Sequence, residues 1–244
     1  MLKRGFDLLA SSLGLLVAAP LLLPVMLLVW LQDFHNPLYI SDRVGLGEKA
    51  FKMYKLRSMI FNADRTGVSS TSANDQRISR IGHFIRRYKL DELTQLLNVF
   101  LGDMSLVGPR PNVRAGTDVY TKVEKRLLSV RPGITDLASI VFADEGEILR
   151  DSQDPDRDYD LLIRPWKSRL ALLSIDHQSF IFDFKILVLT AKAILSRAAA
   201  LAGVVELLNV VRAPSDVIRV AARAEKLVPH APPGAELKGE YAKT

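Results

Sequence analysis

The sequence predicts an α/β fold, mainly helical with one short β-hairpin, built as a single domain behind an N-terminal apolar helix. Three observations carry this. The run from Leu8 to Leu31 holds 24 residues without a charge. Two strand-like segments flank a glycine-marked turn between residues 38 and 57. Beyond them, apolar residues recur mostly at three- and four-residue steps, the period of a helix face. A chain of 244 residues, 48% hydrophobic and 25% charged, is long enough for one ordinary core. Its net charge of +6 suits an anionic partner: phospholipid, nucleotide or nucleic acid. It has no cysteine, which excludes disulfides and thiol catalysis. His35, His83, His177 and His230 are scattered without metal-ligand spacing.

The apolar run is long enough to reach across a bilayer core, which takes about 20 residues. It exceeds a signal-peptide core and ends in no clean cleavage site. Pro20 and Pro24 fall near its middle, where proline removes a backbone hydrogen bond and favours a kink. Lys3 and Arg4 precede the run and Arg43 and Lys49 follow it, so the flanking charge sets no direction. Two readings stay open: a kinked single crossing, or a helix that enters, bends at Pro20 and leaves on the same face.

The hairpin pairs Leu38 to Val44 with Ala50 to Arg57 across Gly45-Leu46-Gly47. On its second strand Phe51, Met53, Lys55 and Arg57 share a face. Residues 62–76 are polar and read as a loop. From Arg77 to Phe100 the period is helical, and Arg77, Arg80, Arg86, Arg87 and Lys89 crowd it as in a basic surface helix. Residues 144–160 read as an exposed charged loop with one helical turn. Residues 181–195 read as an amphipathic surface helix, and 196–224 as one or two more, broken at Pro214-Ser215. The tail with Pro232-Pro233 reads as disordered.

The chemistry lies in Leu90 to Pro111. Asp91-Glu92 sits in an apolar helical pattern beside Leu90, Leu93 and Leu97. A carboxylate can attack phosphorus, and a neighbouring one can steer a metal or a proton. The loop Gly108-Pro109-Arg110-Pro111 holds an arginine between prolines, a rigid grip for phosphate oxygens. Lys55, Arg57 and Arg131 are further candidate phosphate ligands.

The chain resembles the bacterial sugar transferases that start glycan assembly on a polyprenyl phosphate, the monotopic phosphoglycosyl transferases. The resemblance is carried by Lys3-Arg4-Gly5-Phe6-Asp7, Pro20, Arg43-Val44-Gly45, Phe51 to Met59, Leu90-Asp91-Glu92-Leu93, Gln95 to Val99, Gly102 to Pro111, Arg131-Pro132-Gly133-Ile134-Thr135 and Asp183-Phe184-Lys185-Ile186. It implies a re-entrant membrane helix hairpin over 1–34, broken near Pro20. It implies a catalytic domain over 35–195; beyond it the residues read as C-terminal amphipathic helices over 196–231 and a disordered tail over 232–244. The place would be the cytoplasmic face of the bacterial inner membrane.

The resemblance also implies Asp91 as nucleophile and Mg²⁺ ligand, with Glu92 beside it. Lys55, Arg86 and Arg110 would surround phosphates, and Arg57 and Arg131 are counted with them. Thr135, Asp136 and Ser139 fall near the nucleotide and sugar. The implied partners are a UDP-sugar, a polyprenyl phosphate and membrane phospholipid, with no nucleic acid. Residues 198–224 remain open to packing on the membrane or on a second copy, as in a homodimer. Ser41, Thr94 and Asp136 depart from the family pattern, where glutamine, proline and glycine are usual. The departures keep a rival in view: a catalytically impaired relative that binds polyprenyl phosphate as part of a glycan synthase.

Overall fold

The computed structural model describes residues 2–63 and 75–236. Most of the loop read at 62–76, and the tail beyond residue 236, lie outside the described residues. Helix α1 runs from Leu2 to Leu31 as one element, helical through both Pro20 and Pro24, so the break expected near Pro20 does not interrupt the helix. It is the one described helix long and apolar enough to cross a membrane. One stripe of it faces the protein: Asp7, Ser11, Ala18, Leu22, Val25 and Val29 are buried, while Leu9, Leu13, Leu16 and Val17 are widely exposed. Gly14 closes the gap in that stripe, with Leu96 only 3.0 Å from where a Cβ would sit.

The hairpin forms as the sequence predicts. β1 (Leu38–Val44) and β2 (Ala50–Leu56) pair antiparallel with Tyr39 opposite Lys55. Gly47 supplies the positive φ of the connecting turn. The helical stretch expected from Arg77 to Phe100 is divided into α2 (Arg80–Arg87), α3 (Leu90–Leu93) and α4 (Leu96–Leu101). Lys89 breaks it by taking a left-handed backbone, φ 55°, which turns Asp91 away from the direction of α2. Ser79 caps α2 through Gly82 N–H, as short polar side chains do.

After α4 a parallel pair brings two distant loops together, β3 (Ser105–Val107) against β4 (Gly133–Thr135), with the short helix α5 (Arg114–Asp118) between them in sequence. Then come α6 (Leu137–Val141), α7 (Glu145–Ile148), α8 (Pro155–Asp158), a π-helical turn at Tyr159–Ile163, α9 (Arg164–Asp176), α10 (Phe180–Leu195), α11 (Arg197–Val210) and α12 (Ser215–Ala221). The region expected as an exposed charged loop at 144–160 thus folds into several short turns, drawn inward by Leu149, which is fully buried.

The main core joins α6, α9, α10, α11 and α12 through Leu137, Val141, Ile163, Leu170, Ile186, Val204, Leu208 and Val217. The apolar faces of α11 and α12 therefore pack into the same core as α6, α9 and α10. The start of the tail is docked as well: Thr121 Oγ1 donates to the Pro233 carbonyl at 2.5 Å, and Arg169 reaches the Ala231 carbonyl. A second core unites α1 with the hairpin and α2–α3, packing Ala18, Leu22, Val25 and Val29 on Leu56, Ile85 and Leu90.

Candidate active site

A buried polar face on α3 and α4 fixes the geometry. Asp91, Thr94, Gln95 and Asn98 fall on it at helical spacing, all under a tenth exposed. Asn98 Nδ2 donates to the Lys52 carbonyl at 2.6 Å, and Tyr54 N–H donates back to Asn98 Oδ1 at 3.0 Å. Thr94 Oγ1 donates to the Tyr54 carbonyl at 3.1 Å. These bonds clamp β2 beside the helices and aim Lys55 at Asp91, Nζ to Oδ2 at 3.1 Å. Thr94, a departure from the usual proline, therefore has a hydroxyl role that proline has no atom to fill.

Glu92, next in the chain, points elsewhere and accepts from Arg110 Nη2 at 2.7 Å. Burial opposes its ionisation, but Arg110 and Lys55 outweigh burial and hold its pKa at about 2. Lys55 is lowered, because burial outweighs the Asp91 charge that favours its ammonium. Arg86 is also lowered by burial, against the pull of Asp91, while its Nε donates to Ser58 Oγ at 2.9 Å. Among the described residues, Asp91 Oδ1 has no hydrogen-bond donor, so one carboxylate oxygen is held by Lys55 and the other is open.

The Arg110 loop depends on close backbone approach. A Cβ on Gly133 would lie 2.1 Å from Gly108 N, and one on Gly108 would lie 2.5 Å from the Arg131 carbonyl. Only hydrogens fit there, which is why glycine occupies both positions.

The structure thus gathers Lys55, Arg86, Asp91, Glu92 and Arg110. Two expected phosphate ligands are turned elsewhere. Arg57 is buried, and its Nη1 and Nη2 donate to the Asp33 carboxylate at 2.5 and 2.6 Å while its Nε donates to the Asn36 carbonyl. It ties the end of α1 to the hairpin. Arg131 Nε donates to the Gly102 carbonyl at 2.9 Å. With Arg4, which reaches the Val99 and Phe100 carbonyls, it satisfies the acceptor end of α4.

Thr135, Asp136 and Ser139 hold the turn into α6. Asp136 Oδ1 accepts from Ser139 N–H and Oγ–H, both at 2.7 Å, and Thr135 Oγ1 meets Thr190 Oγ1 at 2.8 Å. The aspartate that departs from the family glycine is a helix N-cap, with burial raising its pKa against those bonds. Residues the sequence reading passed over also face the cluster. Arg43 on β1, lowered chiefly by burial, feels Arg110. Arg110 in turn feels Glu145, and Lys167 and Tyr159 feel Arg110. Arg43 belongs to the Arg43-Val44-Gly45 segment; the other three carry no local signal.

No group of three or more His, Cys, Asp or Glu side chains able to hold a metal occurs among the described residues. Two adjacent carboxylates, each with one oxygen that no donor engages among the described residues, still fit Mg²⁺, which commonly takes one or two carboxylates and completes its shell with water and substrate phosphate.

A carboxylate pair ringed by cations, beside a long apolar helix, has the chemistry to receive phosphate groups. The chain belongs to the bacterial sugar transferase family, whose model matches residues 1–197. It is 46% identical over 147 residues to exopolysaccharide production protein PSS of Rhizobium leguminosarum bv. phaseoli, covering 57% of this chain and 74% of that one. It is 37% identical over 171 residues to the UDP-glucose:undecaprenyl-phosphate glucose-1-phosphate transferase of Caulobacter vibrioides, covering 67% of this chain and 63% of that one. It is 37% identical over 143 residues to a UDP-N-acetylgalactosamine-undecaprenyl-phosphate N-acetylgalactosaminephosphotransferase of Aeromonas hydrophila, covering 57% of this chain but only 34% of that one.

Proposed function

We propose that the chain transfers a phosphosugar from a UDP-sugar to a polyprenyl phosphate, with release of UMP, in the assembly of a membrane-bound glycan such as an exopolysaccharide. The observation that carries this is the division of labour at the acidic pair. Lys55 holds Asp91 through Oδ2, leaving Oδ1 for attack, while Glu92 is paired through Oε1 with Arg110. Asp91 Oδ1 attacks the β-phosphorus of the donor. The bond from that phosphorus to the bridging oxygen breaks, and UMP leaves with the electron pair. Lys55, Arg86 and Arg110 offset the charge that builds on the phosphoryl oxygens and the leaving group. An oxygen of the lipid phosphate then attacks the same phosphorus, breaks the acyl phosphate and frees Asp91 as a carboxylate. Mg²⁺, held by Asp91 and Glu92 with substrate oxygens, would supply Lewis-acid stabilisation of phosphate charge.

The attachment of α1 supports a re-entrant path on one membrane face. Its first turns are held by the domain through Asp7, which accepts from Ser105 Oγ and Leu106 N–H, and through the Lys3 ion pair with Asp183. Its far end is held by the same domain through Asp33 and Arg57. A straight crossing would place these ends on opposite sides of a hydrocarbon core about 30 Å thick. The same anchoring keeps the whole domain on one membrane face, which the family resemblance assigns to the cytoplasmic side of the bacterial inner membrane. The hydrogen bonds that absorb Thr94 and Asp136 favour an active enzyme over a binding-only relative.

The test is a half-reaction. With UDP-sugar alone, the chain should release UMP and gain the mass of one sugar phosphate, lost again on adding undecaprenyl phosphate. UMP release without any covalent adduct would refute the aspartyl intermediate.

A further inference from the structure

Arg110 has a second acidic neighbour besides the pair at residues 91 and 92. The charge on its guanidinium is favoured first by Glu92, against burial, and further by Asp91 and Glu145. Glu145 begins α7 and is ion-paired with Lys167 on the first turn of α9. The Lys167 ammonium also lies 5.3 Å from the centre of the Tyr159 ring. Tyr159 opens the π-helical turn at Tyr159–Ile163, a rare geometry found often at functional sites. The Lys167 and Glu145 side chains are 21% and 30% exposed, sheltered yet reachable.

The two flanks of Arg110 differ in chemistry. Toward Asp91, three cations (Lys55, Arg86 and Arg110) meet two carboxylates, and this surplus suits a diphosphate. On the other flank one lysine balances one glutamate beside an aromatic face. Asp136, also near Lys167, is buried and bonded to Ser139, and burial disfavours its charged form. A balanced donor and acceptor with a ring suits a neutral, polyhydroxylated ligand. The carboxylate accepts from hydroxyls, the ammonium donates to them, and the ring packs on the C–H face of a pyranose. A tie between α7 and α9 alone would need neither the ring nor the opening to solvent.

We propose that Glu145, Lys167 and Tyr159 form the sugar-recognition subsite of the donor and decide which hexose is transferred. This rests on the phosphosugar transferase reading. The experiment uses the full chain in lipid nanodiscs and the variants Glu145→Gln, Lys167→Met and Tyr159→Leu. The double variant Glu145→Gln/Lys167→Met removes the pair without leaving a lone charge, and so keeps the test alive if a single variant misfolds. UDP binding is measured beside KM for UDP-glucose, UDP-galactose, UDP-N-acetylglucosamine and UDP-N-acetylgalactosamine.

The expected result is UDP affinity within about two-fold of wild type, KM for the preferred UDP-sugar raised about ten-fold or more, and a changed ranking of the four sugars. Equal loss toward UDP and UDP-sugar would move the trio to the phosphate end and overturn the assignment. Unchanged values for all ligands would reduce it to a helix tie. A wild-type chain that releases UMP from none of the sugars would instead overturn the transferase reading beneath it.

Discussion

Arg110 binds Glu92, not Asp91, at 2.7 Å. Two adjacent acids thereby acquire different work. Asp91 is held on one side by a lysine and left open on the other, while Glu92 secures the arginine loop. A helix places consecutive residues about 100° apart, so neighbours of the same chemistry meet different partners.

Kinetics should separate the two. Asp91→Asn should lower UMP release from UDP-sugar by about a thousand-fold or more and abolish the covalent adduct in intact-mass spectra. Glu92→Gln should cost roughly a hundred-fold while the adduct still forms. Near-full turnover in Asp91→Asn would eliminate it as nucleophile.

Acid should weaken the Glu92–Arg110 link in a defined window. The Glu92 pKa is depressed from 4.5 to about 2 in the fold. A depressed carboxylate contributes stability that is fully present above its unfolded value and is lost as pH falls towards the folded one. Wild type should therefore lose more stability than Glu92→Gln between about pH 4.5 and about pH 2. Thermal melts of both proteins across that interval measure the difference, and parallel curves would contradict the assignment.

Arg57→Met should behave as an anchoring variant rather than a binding one. It strands Asp33 and removes a donor from the Asn36 carbonyl. The cost should be about 1–3 kcal/mol, reduced from a fully buried pair because Asp33 is partly exposed. Proteolysis near residues 32–36 should quicken, while KM for UDP-sugar stays within about two-fold. A large KM change would return Arg57 to the substrate site.

Gly133→Ala should disable the Arg110 loop. Its methyl group would overlap the Gly108 backbone, with 2.5 Å to the carbonyl oxygen and less to the nitrogen. Backbone on both sides has little room to yield, so about 3 kcal/mol of destabilisation and a loss of UMP release are expected. Denaturant unfolding reads the first and the half-reaction the second.

The path of α1 can be read chemically, because the chain has no cysteine of its own. Leu2→Cys and Leu46→Cys should both react with an impermeant maleimide from the cytoplasmic side only. Labelling of residue 2 from the opposite side would exclude a re-entrant helix.

Much of this was legible in the residues, and the losses have physical causes. The hairpin forms where expected, one residue short of Arg57, because alternation and Gly47 act locally. Arg110 could be singled out because two prolines mark it. Lys55 and Arg57 looked equivalent, since strand residues two apart share a face; the strand ends between them, and Asp33 captures the second. The break at Lys89 has no glycine to announce it. The protein-facing stripe of α1 was hidden by an almost uniform apolar run, although Ser11, Gly14 and Ala18 are its small-residue trace. Glu145, Tyr159 and Lys167 come within electrostatic range of Arg110 only through tertiary packing, which no local pattern records.

The shared core of α1 with Ile85 and Leu90 has a consequence for biogenesis. Leu22, Val25 and Val29 leave the ribosome well before the residues they pack against. Asp91 follows Leu90 directly, so its setting is completed only once those later residues settle against α1. On the proposed membrane reading, lipid insertion precedes that step, and a version without α1 loses one wall of the candidate site.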